Sequence, residues 1–164
     1  MKLSFSKINL LAFAVSISFS SVNCGCPDGW GTIDNVSGFK IFTSTDPINL
    51  FMALPICKAN GAKIASVNSA DENELIKQMV SQANGDDSTP VWLGVYMKNN
   101  GDGSFACKTA DGGDCPSDML NLYQNQADNS ETPIYGTQLI SGKWNVVDCA
   151  ERVYSVACKT TCDQ

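Results

Sequence analysis

Apolar and polar positions alternate along the chain with several distinct periods. The first is a block rather than a period. Lys2 and Lys7 precede a run from Ile8 to Phe19 that is largely apolar. It is shorter than the roughly 20 residues a membrane-spanning helix needs. Small residues follow at Ser20 and Ser21. This is the pattern of a secretory signal peptide over residues 1–23, with cleavage expected between positions 20 and 24. Cleavage after Ser20 would leave Cys24 in the mature chain, and cleavage after Cys24 would remove it. The remaining residues, 24–164, make one domain by length.

Within that domain, Cys26-Pro27-Asp28-Gly29-Trp30 has turn chemistry, and Phe39-Lys40-Ile41-Phe42 reads as a strand. Asp46-Pro47 carries the signals of a helix start, a capping side chain and a first-turn proline. Leu50, Phe51, Ala53, Leu54 and Cys57 then fall on one helical face, which predicts a buried stripe. Pro55 inside that pattern predicts a kink or break, and Asn60-Gly61 a stop. Lys63 to Val67 is a short strand-like link. Ser69 with Glu72 three residues on is a capping box, and Leu75, Ile76, Met79 and Val80 give the second helix its stripe. Val91 to Val95 is a continuous apolar strand, predicted to be central. From Lys98 to Gly142, Gly, Asn, Asp and Ser dominate and periodicity fades, so this region needs tying down or carries function. Two strand regions close the chain, one around Leu139-Ile140 with Lys143 to Val146 and a last one from Tyr154 to Cys158.

Composition narrows the chemistry. Eight cysteines in a chain with a secretion signal predict disulfides, and the absence of histidine argues against a zinc site. Spacing alone does not fix the pairing. Cys107 and Cys115 are placed to close a small loop around Asp111-Gly112-Gly113. Removing Lys2 and Lys7 leaves nine basic residues against seventeen acidic ones, a net charge of −8. Such a surface repels phosphate backbones, so a nucleic-acid partner is not expected. No stretch of the mature chain is long and apolar enough for a membrane anchor. Asn35-Val36-Ser37 is a glycosylation acceptor. An enzyme is not expected either. Without histidine there is no Ser-His or Cys-His pair, and the carboxylates Glu131 and Asp148 lie in no glycosidase motif.

Six motifs in order resemble one family, the C-type lectin-like domain. They are Cys26-Pro27-Asp28-Gly29-Trp30, the run CKANGAKIASV from Cys57, SADENELI from Ser69, Trp92-Leu93-Gly94-Val95, Gly142-Lys143-Trp144 with Cys149, and Val156-Ala157-Cys158-Lys159. The resemblance covers Cys26 to about Lys159. It implies an α+β fold in which two helices flank two small antiparallel sheets and a long loop region carries ligand contacts. It implies a Cys57–Cys158 bridge. The usual partner of Cys149 is missing near Tyr135 to Gln138, which leaves Cys115 or Cys107 as candidates. The usual partner of Cys26 is replaced by Phe39, and Cys162 is the substitute, pairing with Cys26 or Cys24.

The resemblance also implies a binding protein for a glycan or an extracellular protein. Calcium-dependent members hold the ion with an acidic loop around a proline and with a Trp-Asn-Asp strand. Calcium needs six to eight oxygens. Here Trp144-Asn145 is followed by Val146, and Glu131-Thr132-Pro133 is followed by Ile134. The calcium candidates are therefore reduced to Glu131, Asn145 and Asp148, and no cofactor is expected. In the simpler reading Trp144 is core and Asn145 a turn residue, and the ligand, sugar, protein or lipid, is met without calcium.

Overall fold

Residues 25–102, 104–124 and 134–162 are described by the structure, a computed structural model. The signal segment, Cys24, Gly103, residues 125–133 with Glu131, and the last two residues lie outside them.

The order of elements is β1 (Ser37–Ile48), α1 (Leu50–Ala59), β2 (Lys63–Ile64), α2 (Ala70–Asn84), β3 (Val91–Asn99), β4 (Phe105–Thr109), a 3₁₀ turn (Ser117–Leu122), β5 (Ile134–Ile140), β6 (Lys143–Asp148) and β7 (Val153–Thr161). The strands run β1-β7-β3-β5-β6, with β2 also on β7 and β4 on β3. Two antiparallel groups are visible. β1 and β2 pair with β7, and β4, β5 and β6 build outward from β3. A short parallel contact, Val91 with Ser155 and Trp92 with Val156, joins them into one sheet. The apolar strand from Val91 is the middle of that sheet because it is buried on both faces, as its unbroken apolar run requires.

Each face of the sheet carries one helix and one buried tryptophan. On the first face α2 packs Ile76 and Val80 onto Phe39, Leu93, Leu139 and Trp144. On the second face α1 packs Ala53 and Cys57 onto Ile64, Trp92, Val153 and Val156. Ser69 caps α2 by accepting from the Glu72 amide, and the Glu72 carboxylate reaches back to accept from the amide of Asn68, one residue before the cap. Gly85, at φ 85°, closes the helix in the left-handed region that glycine tolerates.

The first helix departs from its sequence signals. Asp46 and Pro47 belong to the end of β1, and Asn49 is the cap, accepting from the Met52 amide at 3.0 Å. Pro47 fits there because the β1–β7 register breaks between Thr43 and Ile48, where no ladder donor is needed. Pro55 does not break α1. It removes one backbone bond just past the first turn, where few are at stake. The predicted stripe is also only half buried. Ala53 and Cys57 face the core, while Phe51 and Leu54 are exposed.

Three disulfides lie among the described residues. Cys57–Cys158 joins α1 to β7, Cys26–Cys162 joins the two termini of the domain, and Cys107–Cys115 closes the loop after β4. Gly94 lets β3 approach its neighbours closely. A Cβ there would stand 2.6 Å from the Ile64 carbonyl oxygen, and the Gly94 amide donates to the Ala65 carbonyl at 2.7 Å. Among the described residues no helix is long and apolar enough to cross a membrane.

Candidate functional site

β5 and β6 form a hairpin through Ser141 and Gly142, both at positive φ (49° and 79°), a turn that suits the twist of paired strands. The second strand carries the motif Trp144-Asn145-Val146. Trp144 is fully buried, and its indole N–H donates to Asn73 Oδ1 at 2.9 Å. Asn73 in turn donates to the Gly142 carbonyl at 2.9 Å, so one buried amide fastens α2 to the hairpin. Trp144 is core, as read from the sequence. Asn145 is not a turn residue. It lies within β6, opposite Gln138, while Val146 lies opposite Thr137 and Asp148 opposite Tyr135. The turn falls earlier because Ser141-Gly142 takes it.

Strand geometry then separates the candidate calcium ligands. Side chains alternate across a strand, so Trp144, Val146 and Asp148 share one face and Asn145 points to the other. Asn145 and Asp148 are also three residues apart, roughly 10 Å along the strand. Val146, where an acid would be needed, is buried. The Asp148 carboxylate accepts from the Ala150 amide at 2.7 Å and its carbonyl from the Glu151 amide at 3.0 Å, which holds the tight turn after β6. Asn145 and Asp148 do not converge, and Glu131 lies outside the described residues. Among those residues no cluster of three or more acidic or cysteine side chains could hold a metal. Asp102, in the other acid-bearing loop, accepts from the Ser104 amide at 2.9 Å and shapes the β3–β4 turn.

The aromatic side chains of the loop region are packed inward. Tyr123 meets Trp144 edge-on with ring centroids 5.3 Å apart, and Tyr135 meets Phe105 at 5.9 Å.

Two clefts border α1. The first, of about 610 Å³, lies between α1 and the sheet and is largely apolar. Leu50, Phe51, Leu54, Leu93, Tyr96 and Ile134 line it, with Cys149 among them and Asp148 beside it. Cys149 is a free, buried thiol. Burial raises its pKa above the ordinary thiol value, and the neighbouring Asp148 charge adds to this. Its expected pairing with Cys107 or Cys115 does not occur, because those two are bonded to each other across the β4 loop. The second cleft, of about 690 Å³, is polar and sits where the α1–β2 turn meets the end of β7. Lys58, Lys63 and Lys159 line it.

Neither cleft stands out in the sequence. The apolar one is announced only by Phe51 and Leu54 being apolar on a helix whose neighbours satisfy the core without them. The three lysines lie far apart in sequence, and only the pairing of β2 with β7 brings Lys63 and Lys159 together.

Comparison with known proteins agrees with this architecture. The chain is 25% identical over 154 residues to snaclec crotocetin-1 of Crotalus durissus terrificus, covering 90% of each chain. It is 26% identical over 126 residues to the alpha-1 subunit of snaclec agglucetin of Deinagkistrodon acutus, covering 74% of this chain and 77% of that one. Among solved structures, the cow CD23 C-type carbohydrate-recognition domain superposes with a TM-score of 0.63 at 15% identity, over 85% of this chain and 98% of that one. Herring type II antifreeze protein gives 0.60 at 21% identity, over 83% and 98%. These two likenesses show the fold alone. The family described as the lectin C-type domain matches residues 47–160, which reach from the end of β1 into β7. The chain belongs to the C-type lectin domain family.

Proposed function

We propose that this is a secreted, non-enzymatic recognition domain whose ligand is a glycan, bound with no calcium ion held by the Trp144–Asp148 strand. One observation carries the reading. The two described candidates, Asn145 and Asp148, stand three residues apart on β6, and the position after Asn145, where the family's strand carries an acid, is a buried valine. An ion that needs six to eight oxygens finds no shared centre there. The strand instead serves as scaffold, with its tryptophan locked to α2. The name of the CD23 structure records an oligosaccharide beside that protein, and the family membership extends this ligand class to the present chain as a proposal. In this account residues 1–23 are a signal peptide, residues 24–164 are the mature domain, and Asn35, exposed at the tip of the loop before β1, is the glycosylation site.

A second reading follows from the apolar cleft. Phe51 is 67% exposed and Leu54 46%, an arrangement that favours a protein or lipid ligand, since water gains nothing from contact with such a surface. A glycan panel probed with the secreted protein, with and without chelator, separates the readings. Glycan binding that is indifferent to chelator is the expected result. Binding abolished by chelator contradicts the calcium-free site, and no glycan binding, with capture of an apolar or protein ligand lost in Leu54→Ser, moves the function to the apolar cleft beside α1.

A further inference from the structure

The domain is acidic, yet three of its nine basic residues line one concavity. Lys58 projects from the last turn of α1, Lys63 from β2 and Lys159 from β7. Lys63 and Lys159 are direct partners in the antiparallel β2–β7 pair. Their Cα atoms therefore lie within roughly 5.5 Å and their side chains leave the same face. Like charges placed opposite each other oppose pairing, so the fold alone gives no reason for this juxtaposition.

The charges around them are unevenly answered. Glu72 holds Lys159 at 3.0 Å, and the Lys159 ammonium also lies over the Phe39 ring. Among the described residues neither Lys58 nor Lys63 has a carboxylate within ion-pair distance, and both are exposed. Lys58 also stands at the helix C-terminus, where a cation complements the dipole. Asp111 is the one acid in the lining, and its carboxylate accepts from the buried Ser66 hydroxyl. Ser37 and Thr161, cross-strand partners on β1 and β7, add neutral hydroxyls to the wall. The volume, about 690 Å³, is in the range of small-ligand sites, roughly 300–1,000 Å³.

We propose that this cleft binds the sulfate groups of a sulfated glycan, with Lys58 and Lys63 as the contacting cations and Lys159 fixed behind them by Glu72. The inference rests on the calcium-free glycan reading and names the ligand class and the place. The site lies where β2 meets the end of β7, away from β6 at the other end of the strand order. An anion bridging Lys58 and Lys63 removes the opposition between the β2 and β7 lysines and meets hydroxyl donors on the same wall. Neutral sugars would use the hydroxyls but leave the two ammonium groups unanswered.

The test is calorimetry of the intact, oxidised protein in chelator with three probes. They are a heparin-derived sulfated oligosaccharide, the same oligosaccharide desulfated, and inorganic sulfate at matched sulfate concentration. Only the sulfated oligosaccharide should bind saturably, and added salt should weaken it. The double variant Lys58→Gln with Lys63→Gln should weaken binding by about tenfold or more, the size of a lost charge-assisted contact. Asp111→Asn should tighten it. Lys143→Gln, which removes the same charge at the far edge of the sheet, should leave it unchanged. Both cleft lysines are exposed, so thermal melting of the double variant should match the wild type and exclude misfolding.

Unchanged affinity in the double variant overturns the proposal. Equal binding of the desulfated oligosaccharide overturns it too, while the calcium-free glycan reading stands. Inorganic sulfate that matches the oligosaccharide would make this a free-anion site and withdraw the glycan assignment. Failure of both oligosaccharides to bind, together with an empty glycan panel, removes both readings.

Discussion

The two faces of the sheet are built from the same parts and finished differently. On one face α2 is capped at both ends, buries Ile76 and Val80, holds Trp144 through Asn73 and turns a polar surface to water. On the other, α1 fastens itself to β7 with a disulfide, encloses Trp92, whose indole N–H donates to the Ile48 carbonyl at 3.0 Å, and leaves Phe51, Met52 and Leu54 in solvent. Packing against the core accounts for Leu75, Ile76, Met79 and Val80, the large apolar residues of α2. It does not explain those three on the second. The difference separates the part of the molecule that folding accounts for from the part that folding leaves free for a ligand.

The comparison can be broken most forcefully at the covalent tie. Replacing both Cys57 and Cys158 by alanine should cost about 4 kcal/mol on the chain-entropy account, because the bridge closes a loop of 101 residues. Denaturant unfolding of the double variant measures this. On the α2 face, Asn73→Ala leaves the buried Trp144 indole donor and the Gly142 carbonyl without their partner. The expected loss is about 2 kcal/mol, visible in the same assay and accompanied by a change in tryptophan fluorescence. On the α1 face, Phe51→Ser and Leu54→Ser should each shift stability by less than about 0.5 kcal/mol, since exposed positions rarely matter more. A large loss there would mean that the outer side of α1 is part of the core after all.

The smallest effect concerns Cys149. Burial raises its folded pKa above that of the unfolded thiol. Its contribution to stability is therefore fully present below the unfolded pKa of about 8.5 and is lost as pH rises through the folded value. The native thiol should accordingly react slowly with iodoacetamide at neutral pH and quickly once unfolded. Prompt alkylation of the native protein would show that the apolar cleft opens to solvent at its base.

Much of this was legible in the chain. Ser69 and Glu72 announced α2 because a capping box is a local contract between residues three apart. Val91 to Val95 announced the central strand because burial on both faces leaves no polar position. Trp144 announced core. The rest depended on contacts between distant residues. Asp46-Pro47 has the grammar of a helix start, but the broken β1–β7 register accommodates the same dipeptide, and Asn49 takes the cap. Phe51 and Leu54 fit a buried stripe by period, yet Ala53 and Cys57 suffice to seat the helix. The isolation of Asn145 from Asp148 needed the strand boundary, because a strand and a turn distribute the same three residues differently. Lys63 meets Lys159 only through pairing across 95 residues of sequence.

The central claim, that the Trp144–Asp148 strand is scaffold and not a calcium site, has a direct measurement. It is a calcium titration of the secreted, oxidised protein by calorimetry, with thermal melting in calcium and in chelator alongside. The account predicts no saturable heat and the same melting temperature in both conditions, for the wild type and for Asn145→Ala alike. Saturable calcium binding that stabilises the wild type and disappears in Asn145→Ala would contradict it.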